Sequence, residues 1–403
     1  MIFGLPVALN PTFLLPFVFA PLALNVIALS AVHTGLMPLQ NVAVPWTTLP
    51  PMSGYMLTGS WRGVALQLVG LLASTLIYLP FARRAESQRL RSQADAFDAA
   101  KLAIVSPGRH RVPSVRRTDR VGLIARGLIA ELERDINSPA LALAFQPKHN
   151  RKGDAVGVEA LLRWTHARHG PITADVAVTL AEDGRLIRTL GTWVLEEACA
   201  RKAEWNAVGL THVRMEINVS PLQLGDPQLP GLLSSCMARH RLTPGEIELE
   251  IIESQAIPSD AVVDGNLAQI GAMGIALAMD DFGMGYSSLL HMRRFRIHAI
   301  KVDGSLTRDV LTNPICADII RTITELGRSQ GVEVVAEFVE TAAQRDALHA
   351  LGCDLFQGYL HSPALPAAAC MDYLLAHGPQ AVANVSSIPT SEDPLREAHR
   401  TRA

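Results

Sequence analysis

The sequence predicts an α/β architecture, a (β/α)8 barrel preceded by two membrane-spanning helices. Three observations predict it. Between Met1 and Ala82 the only Asp, Glu, Lys or Arg is Arg62, set among two apolar stretches. From about Ala140, eight short apolar runs alternate with longer helical patterns. Polar residues recur in those runs or at their carboxyl ends, the rim on which barrel enzymes build their sites.

The apolar stretches run from about Leu14 to Met37 and from about Gly63 to Ala82. Each is long enough for a hydrocarbon core, which takes about 20 helical residues. A cleaved leader is a poor fit for the first, because no basic residue precedes it and a second span follows. Arg83, Arg84, Arg89 and Arg91 follow the second span and place that end in the cytoplasm. Two spans then put Met1 on the same side, with 38–62 outside or re-entrant. Ala85 to Ala103 is polar and helix-prone, Ser106-Pro107-Gly108 breaks it, and Arg109, Arg111, Arg116, Arg117 and Arg120 make the rest of 83–120 a basic linker, either flexible or lying near anionic headgroups. Residues 377–403 are rich in Ser, Thr and Pro and are expected to be disordered.

Net charge is −2, which argues neither for nor against nucleic acid. The five cysteines (Cys199, Cys236, Cys316, Cys353, Cys370) are scattered and form no C-x-x-C pair. That pattern fits buried thiols in a reducing compartment better than disulfides or a zinc site.

The strand expectations are Leu141–Phe145, Val156–Leu161, Val213–Asn218, Ile247–Ile252, Ala276–Met279, Ala299–Val302, Val332–Ala336 and Leu355–Tyr359, with helices between them. A barrel of this kind takes about 250 residues, which the chain after the linker supplies. Glu159, Asn218, Glu250, Asp280 with Asp281, Lys301, Glu337 and Gln357 fall in or at the ends of different runs. One acid at a strand end is ordinarily a solvated rim residue. Six acidic or amide groups, Glu159, Asn218, Glu250, Asp280, Asp281 and Glu337, converging from five strands are harder to explain that way. Carboxylates crowded together raise one another's pKa unless cations neutralise them. An all-oxygen set of Asp, Glu and Asn suits Mg²⁺ or Mn²⁺ rather than Zn²⁺. Two such ions bridged by one carboxylate would activate water for phosphate-ester hydrolysis, and adjacent Asp280 and Asp281 suit a bridging site.

Ordered motifs carry a resemblance across about 121–376. They are Phe145-Gln146-Pro147, Glu159-Ala160-Leu161-Leu162-Arg163-Trp164, Glu216-Ile217-Asn218-Val219-Ser220, Glu248-Leu249-Glu250 with Glu253, Asp280-Asp281-Phe282-Gly283 continuing into Gly285-Tyr286-Ser287-Ser288, Lys301-Val302-Asp303, Ala336-Glu337 with Val339-Glu340-Thr341, and Gln357-Gly358-Tyr359. The segment resembles the EAL-domain cyclic di-GMP phosphodiesterases. That resemblance implies cyclic di-GMP as substrate and linear pGpG as product. It implies one metal ion on Glu159, Asn218, Glu250 and Asp280, and a second on Asp280, Asp281 and Glu337. Lys301 would position or help deprotonate the attacking water, and Glu253 would hold the 281–288 loop. Gln146, Arg163 and Gln357 would contact substrate, with the Arg163 fork suited to a phosphate. Trp164 is open to a core or a ligand role.

The departures from the family pattern are His298 for an aspartate, Phe338 for the glycine after Glu337, and Ala174, Ala177 and Thr179 for Pro, Phe and Pro. None removes a metal ligand, but bulk at Phe338 bears on where Glu337 sits. No Gly-Gly-Asp-Glu-Phe-like stretch occurs. The first eighty residues have their own resemblance: Phe3-Gly4-Leu5-Pro6, Leu9-Asn10-Pro11, Val44-Pro45-Trp46-Thr47-Thr48 and Gly54-Tyr55 are similar to the late part of the phosphotransferase-system sugar transporter subunit IIC. Two spans fall short of a carrier, so an anchor is expected. The implied partners are cyclic di-GMP, membrane lipid and a second copy in a homodimer, with no DNA or RNA polymer. The implied place is the bacterial inner membrane, with the barrel in the cytoplasm. A catalytically weak receptor for cyclic di-GMP and a sugar-transport-associated membrane protein are the alternative readings.

Overall fold

The structure, a computed structural model, describes residues 11–37, 44, 48, 50–105, 112–252, 260–283, 292, 294 and 296–379. Contacts divide the chain into two units, Met1–Ala103 and Ile104–Ala403.

In the first unit, helices span Pro11–His33, Pro50–Thr58 and Trp61–Val105. The first and third are long and apolar enough to cross a membrane. Leu15, Val18, Leu22, Val26 and Leu29 on one and Leu68, Leu72 and Leu76 on the other are exposed, which is costly in water and costless in lipid. Pro16, Pro21 and Pro80 lie inside these helices. The third helix does not stop at the expected edge, Ala82; it continues through the polar stretch 85–103 because nothing there breaks it. The Ser106-Pro107-Gly108 breaker, Arg109, Arg111 and the tail after 379 lie outside the described residues.

The second unit is the expected eight-stranded barrel. Its strands are β1 (Leu141–Asn150), β2 (Ala155–His166), β4 (Arg214–Asn218), β5 (Ile247–Ile252), β6 (Ala276–Phe282), β7 (Ala299–Val302), β8 (Glu333–Ala336) and β9 (Leu355–Gln357), and β9 pairs back onto β1 to close the ring. Short strands β3 (Gly170–Ile172) and β10 (Leu365–Pro366) pair with β2 and β1 outside it. One expectation fails: no helix separates the first two strands. Only a tight turn, with Asn150 N–H donating to the Asp154 carbonyl oxygen, joins β1 to β2. A parallel crossover needs a dozen or more residues, so β1 runs antiparallel to β2 and β9 while β4 through β9 are parallel. Both strands also outrun their expected ends, because the hairpin lets pairing continue from Leu141–Trp164 to His149–Ala155.

The lower barrel is packed by Ala278, Ala299, Val335 and Leu355 with Val156. Outside, helix Arg120–Asp135 is capped by the Asp119 carboxylate on Gly122 N–H. Trp164 is buried and its Nε1 donates to Asp135 Oδ2 at 3.0 Å, which settles it in the core. Ser114 N–H donates to Asp183 Oδ2 at 2.7 Å, so the last part of the expected linker is tied to the barrel unit.

Candidate active site

Alternate residues of a barrel strand face the interior. On β4 and β5 that puts Glu216 and Glu248 in one layer, with Asn218 and Glu250 one step nearer the carboxyl ends. In the lower layer Lys148 from β1 contacts Glu216, and Arg214 Nη1 lies 2.8 Å from Glu248 Oε2. The missing side chain of Gly157 makes the space: a Cβ there would come within 3.1 Å of both Glu216 Oε1 and Lys148 Cε.

The upper layer gathers around Lys301 of β7. Its Nζ lies 2.5 Å from Glu250 Oε1, 2.6 Å from Glu337 Oε1, 3.1 Å from Glu159 Oε2 and 3.6 Å from Asp280 Oδ1. Asn218 Nδ2 donates to Glu159 Oε1 at 2.8 Å, and Gln357 Nε2 donates to Glu159 Oε2 at 2.7 Å. Burial alone would raise Glu159, but Lys301, Asn218 and Gln357 hold it below the ordinary carboxylate range. Glu250 is pushed well above that range by burial and by Glu159. Burial lifts Glu337 to about 8 despite Lys301. Burial opposes the charge on Lys301, but Asp280, Glu159, Glu250 and Glu337 raise its pKa far above that of a free lysine. Lys301 is therefore an ammonium that can donate hydrogen bonds and cannot accept a proton in this arrangement.

Successive strand residues normally face opposite sides, yet Asp280 and Asp281 both reach the site. The β6–β7 register slips between Met279 and Phe282, and Asp281 adopts a left-handed φ of 56° that aspartate tolerates better than most residues. As a result one oxygen each of Asp280, Asp281 and Glu337 lie within 4.8 Å of one another. Burial and Asp280 push Asp281 up to about 6. Glu337 follows directly on β8. It is held from behind by Val339 N–H, which donates to the Gln357 carbonyl oxygen at 3.1 Å. Gly358 permits that approach, since a Cβ there would come within 2.3 Å of Val339 backbone atoms.

The motifs on these strands are those of one family, and residues 129–364 match the EAL domain model. The chain belongs to the EAL domain family. Over 241 residues it is 37% identical to the bifunctional diguanylate cyclase/cyclic di-GMP phosphodiesterase MucR of Pseudomonas aeruginosa, covering 60% of this chain and 35% of that protein. The chain spans about a third of the length of the curated relatives it matches. Among solved structures, the MucR phosphodiesterase in complex with c-di-GMP superposes with a TM-score of 0.58 at 36% identity, over 60% of this chain and 99% of that one. The cAMP-bound EAL enzyme Bd1971 gives 0.60 at 26% identity, over 63% and 72%.

Within the EAL domain, Glu159, Asn218, Glu250, Asp280, Asp281, Lys301, Glu337 and Gln357 are brought together. Gln146 is half-buried and its Nε2 donates to the Ser362 carbonyl oxygen at 3.3 Å. Arg163 is exposed, four residues along β2 from Glu159 on the same face, and its Nη1 donates to the Leu162 carbonyl oxygen. Glu253 and the 284–291 part of its loop lie outside the described residues. His298 sits at the start of β7, where its N–H donates to the Leu277 carbonyl oxygen, and takes no part in the upper layer. Phe338 occupies a left-handed φ of 52°, which explains why glycine is the family's usual residue there. Its ring lies over Gly304 and is faced by the Arg308 guanidinium at 4.8 Å. The ring thus points away from the carboxylates, and Glu337 keeps its 2.6 Å contact with Lys301. The sequence reading assigned no role to Lys148, Arg214, Glu216 or Glu248. The signal was available: Glu216 and Glu248 stand two residues before Asn218 and Glu250, and Lys148 two after Gln146.

The donor set fits divalent cations. Among the described residues neither Glu250 oxygen accepts a hydrogen bond of good geometry although both are buried, and there only the Lys301 ion pair meets the charge. Among the described residues, oxygen is the ligand type that the upper-layer acids and amides offer, as hard cations require.

Proposed function

We propose that the chain is a membrane-anchored phosphodiesterase that hydrolyses cyclic di-GMP to linear pGpG, using two Mg²⁺ or Mn²⁺ ions. The charge balance at the barrel mouth carries this reading. Five carboxylates, Glu159, Glu250, Asp280, Asp281 and Glu337, surround one ammonium, Lys301. A phosphodiester anion entering that site would be repelled. Two divalent cations would displace the protons that burial favours on Glu250 and Glu337 and bring the fully ionised set to neutrality. Glu159, Asn218, Glu250 and Asp280 would hold one; Asp280, Asp281 and Glu337 would hold the other. Ions so placed would supply Lewis-acid stabilisation and a lowered water pKa.

The chain's own residues do the positioning. Asn218 and Gln357 fix the Glu159 carboxylate from two sides. Lys301 presents N–H donors from a stem that is 1% exposed, and so can orient an attacking water. A role for Lys301 as base requires its carboxylates to be engaged by cations first, which would lower its pKa. Exposed Arg163 offers a guanidinium fork to a substrate phosphate, and Gln146 and Gln357 offer amides. Glu253 is proposed to hold the 281–288 loop. The 37% identity with MucR and the structural match to its c-di-GMP complex support the choice of substrate.

Helix Pro11–His33 and the 63–82 part of helix Trp61–Val105 are proposed as inner-membrane spans, with Arg83, Arg84, Arg89 and Arg91, further along the same helix, cytoplasmic. The IIC-like segment is then an anchor, since two helices cannot enclose a hydrated sugar with backbone groups satisfied. Incubating the detergent-purified chain with cyclic di-GMP and Mg²⁺ or Mn²⁺ should yield pGpG and lose activity in chelator. Binding without turnover in either ion would replace this reading with a receptor. Reporter fusions after residue 95 should be cytoplasmic and fusions within 38–60 periplasmic; a periplasmic signal after 95 would overturn the topology.

A further inference from the structure

A second constellation lies on two outer helices, Ile187–Ala207 and Leu229–His240. Glu196 and Cys199 are three residues apart on the first, and Cys236 and His240 four apart on the second. Both spacings stack side chains on one helix face, and the two faces meet. Cys236 Sγ lies 3.5 Å from the Leu195 carbonyl oxygen, and His240 Nε2 lies 3.3 Å from Glu196 Oε2. One ligating atom each of Glu196, Cys236 and His240 fall within 4.8 Å of one another. Cys199 is buried beside Cys236, whose thiol is the largest influence raising its pKa.

We propose that Glu196, Cys236 and His240 form a Zn²⁺ site, independent of the catalytic carboxylates, that clamps these two helices together. Thiolate, imidazole and carboxylate are the ligand types that zinc combines in tetrahedral sites, whereas Mg²⁺ avoids sulfur. The fourth position is open to water or to Cys199. Arg239 contacts Glu196 through the other carboxylate oxygen, Oε1. Oε2 can therefore serve the ion while Arg239 stays as the outer partner that orients the ligand. Cys236 gives up its thiol proton to solvent on binding, so affinity rises with pH.

Co²⁺ is the probe, because only a sulfur ligand gives a thiolate-to-Co²⁺ charge-transfer band and the catalytic set is all oxygen. The chelator-treated full chain in detergent should develop that band with one equivalent of Co²⁺ and lose it on adding Zn²⁺. Cys236→Ser should abolish the band, Cys199→Ser should retain it, and His240→Ala, at a half-buried position, should weaken Co²⁺ binding by at least about tenfold. If Cys236→Ser does not fold, His240→Ala alone decides. No band at saturating Co²⁺, a band that survives Cys236→Ser, or unchanged affinity in His240→Ala would overturn the site. None of these outcomes depends on cyclic di-GMP turnover.

Discussion

Replacing Lys301 with Met removes the ammonium that stands within 3.6 Å of four carboxylates, with little change in side-chain volume. Removing one partner of a buried ion pair costs about 3–5 kcal/mol. Glu337, near 8, is already mostly protonated at neutral pH, and Asp281, near 6, can take up a proton once the ammonium is gone, so part of that cost is offset. The expected loss is therefore at the lower end, about 3 kcal/mol. For a domain of this size it corresponds to roughly 6–12 °C in Tm. Mg²⁺ or Mn²⁺ at about a hundred times Kd returns about 2.7 kcal/mol. Turnover in saturating Mg²⁺ should still fall by about 10² or more, because the water-orienting donor is gone. Thermal unfolding of the full chain in detergent, with and without chelator, reads the first two effects, and product analysis reads the third. A Lys301→Met chain that melts with the parent in chelator, or melts low and is not raised by either ion, would refute the view of Lys301 as counter-cation to a metal-binding set.

Glu159→Ala should abolish turnover while circular dichroism stays that of a folded chain, since the change also relieves repulsion with Glu250; an unfolded or active variant would contradict its role. Phe338→Gly should be more stable than Phe338→Ala by about 1 kcal/mol, because both lose the ring over Gly304 and only alanine keeps the left-handed strain; the reverse order in denaturant melts would contradict the backbone conformation. Burial first, then His361, holds His149 near 3. The unfolded chain takes a proton below about 6.5 and the folded one does not, so stability falls as pH drops from 6.5 towards 3, by about 2 kcal/mol at pH 5. His149→Gln should remove that share of the acid sensitivity, and an unchanged difference between pH 7 and pH 5 would show that His149 is not the group responsible.

The local pattern alone determined a good deal. Short apolar runs locate eight strands, and Glu159, Asn218, Glu250 and Gln357 fall in or at the carboxyl ends of four of them. The apolar lengths mark two helices long and apolar enough to cross a membrane. Those signals depend only on neighbours along the chain.

The tertiary structure decided what depends on distant residues. Whether β1 runs with or against β2 turned on a turn too short for a crossover helix. Adjacent Asp280 and Asp281 can serve one site only because a register slip and a left-handed Asp281 undo strand alternation. Lys301 is a cation among four carboxylates only because four other strands or their ends bring those acids to it. Cysteine spacing tests donors along one segment only. Glu196, Cys236 and His240 come together from two helices about forty residues apart, and only packing brings such donors within reach of one ion.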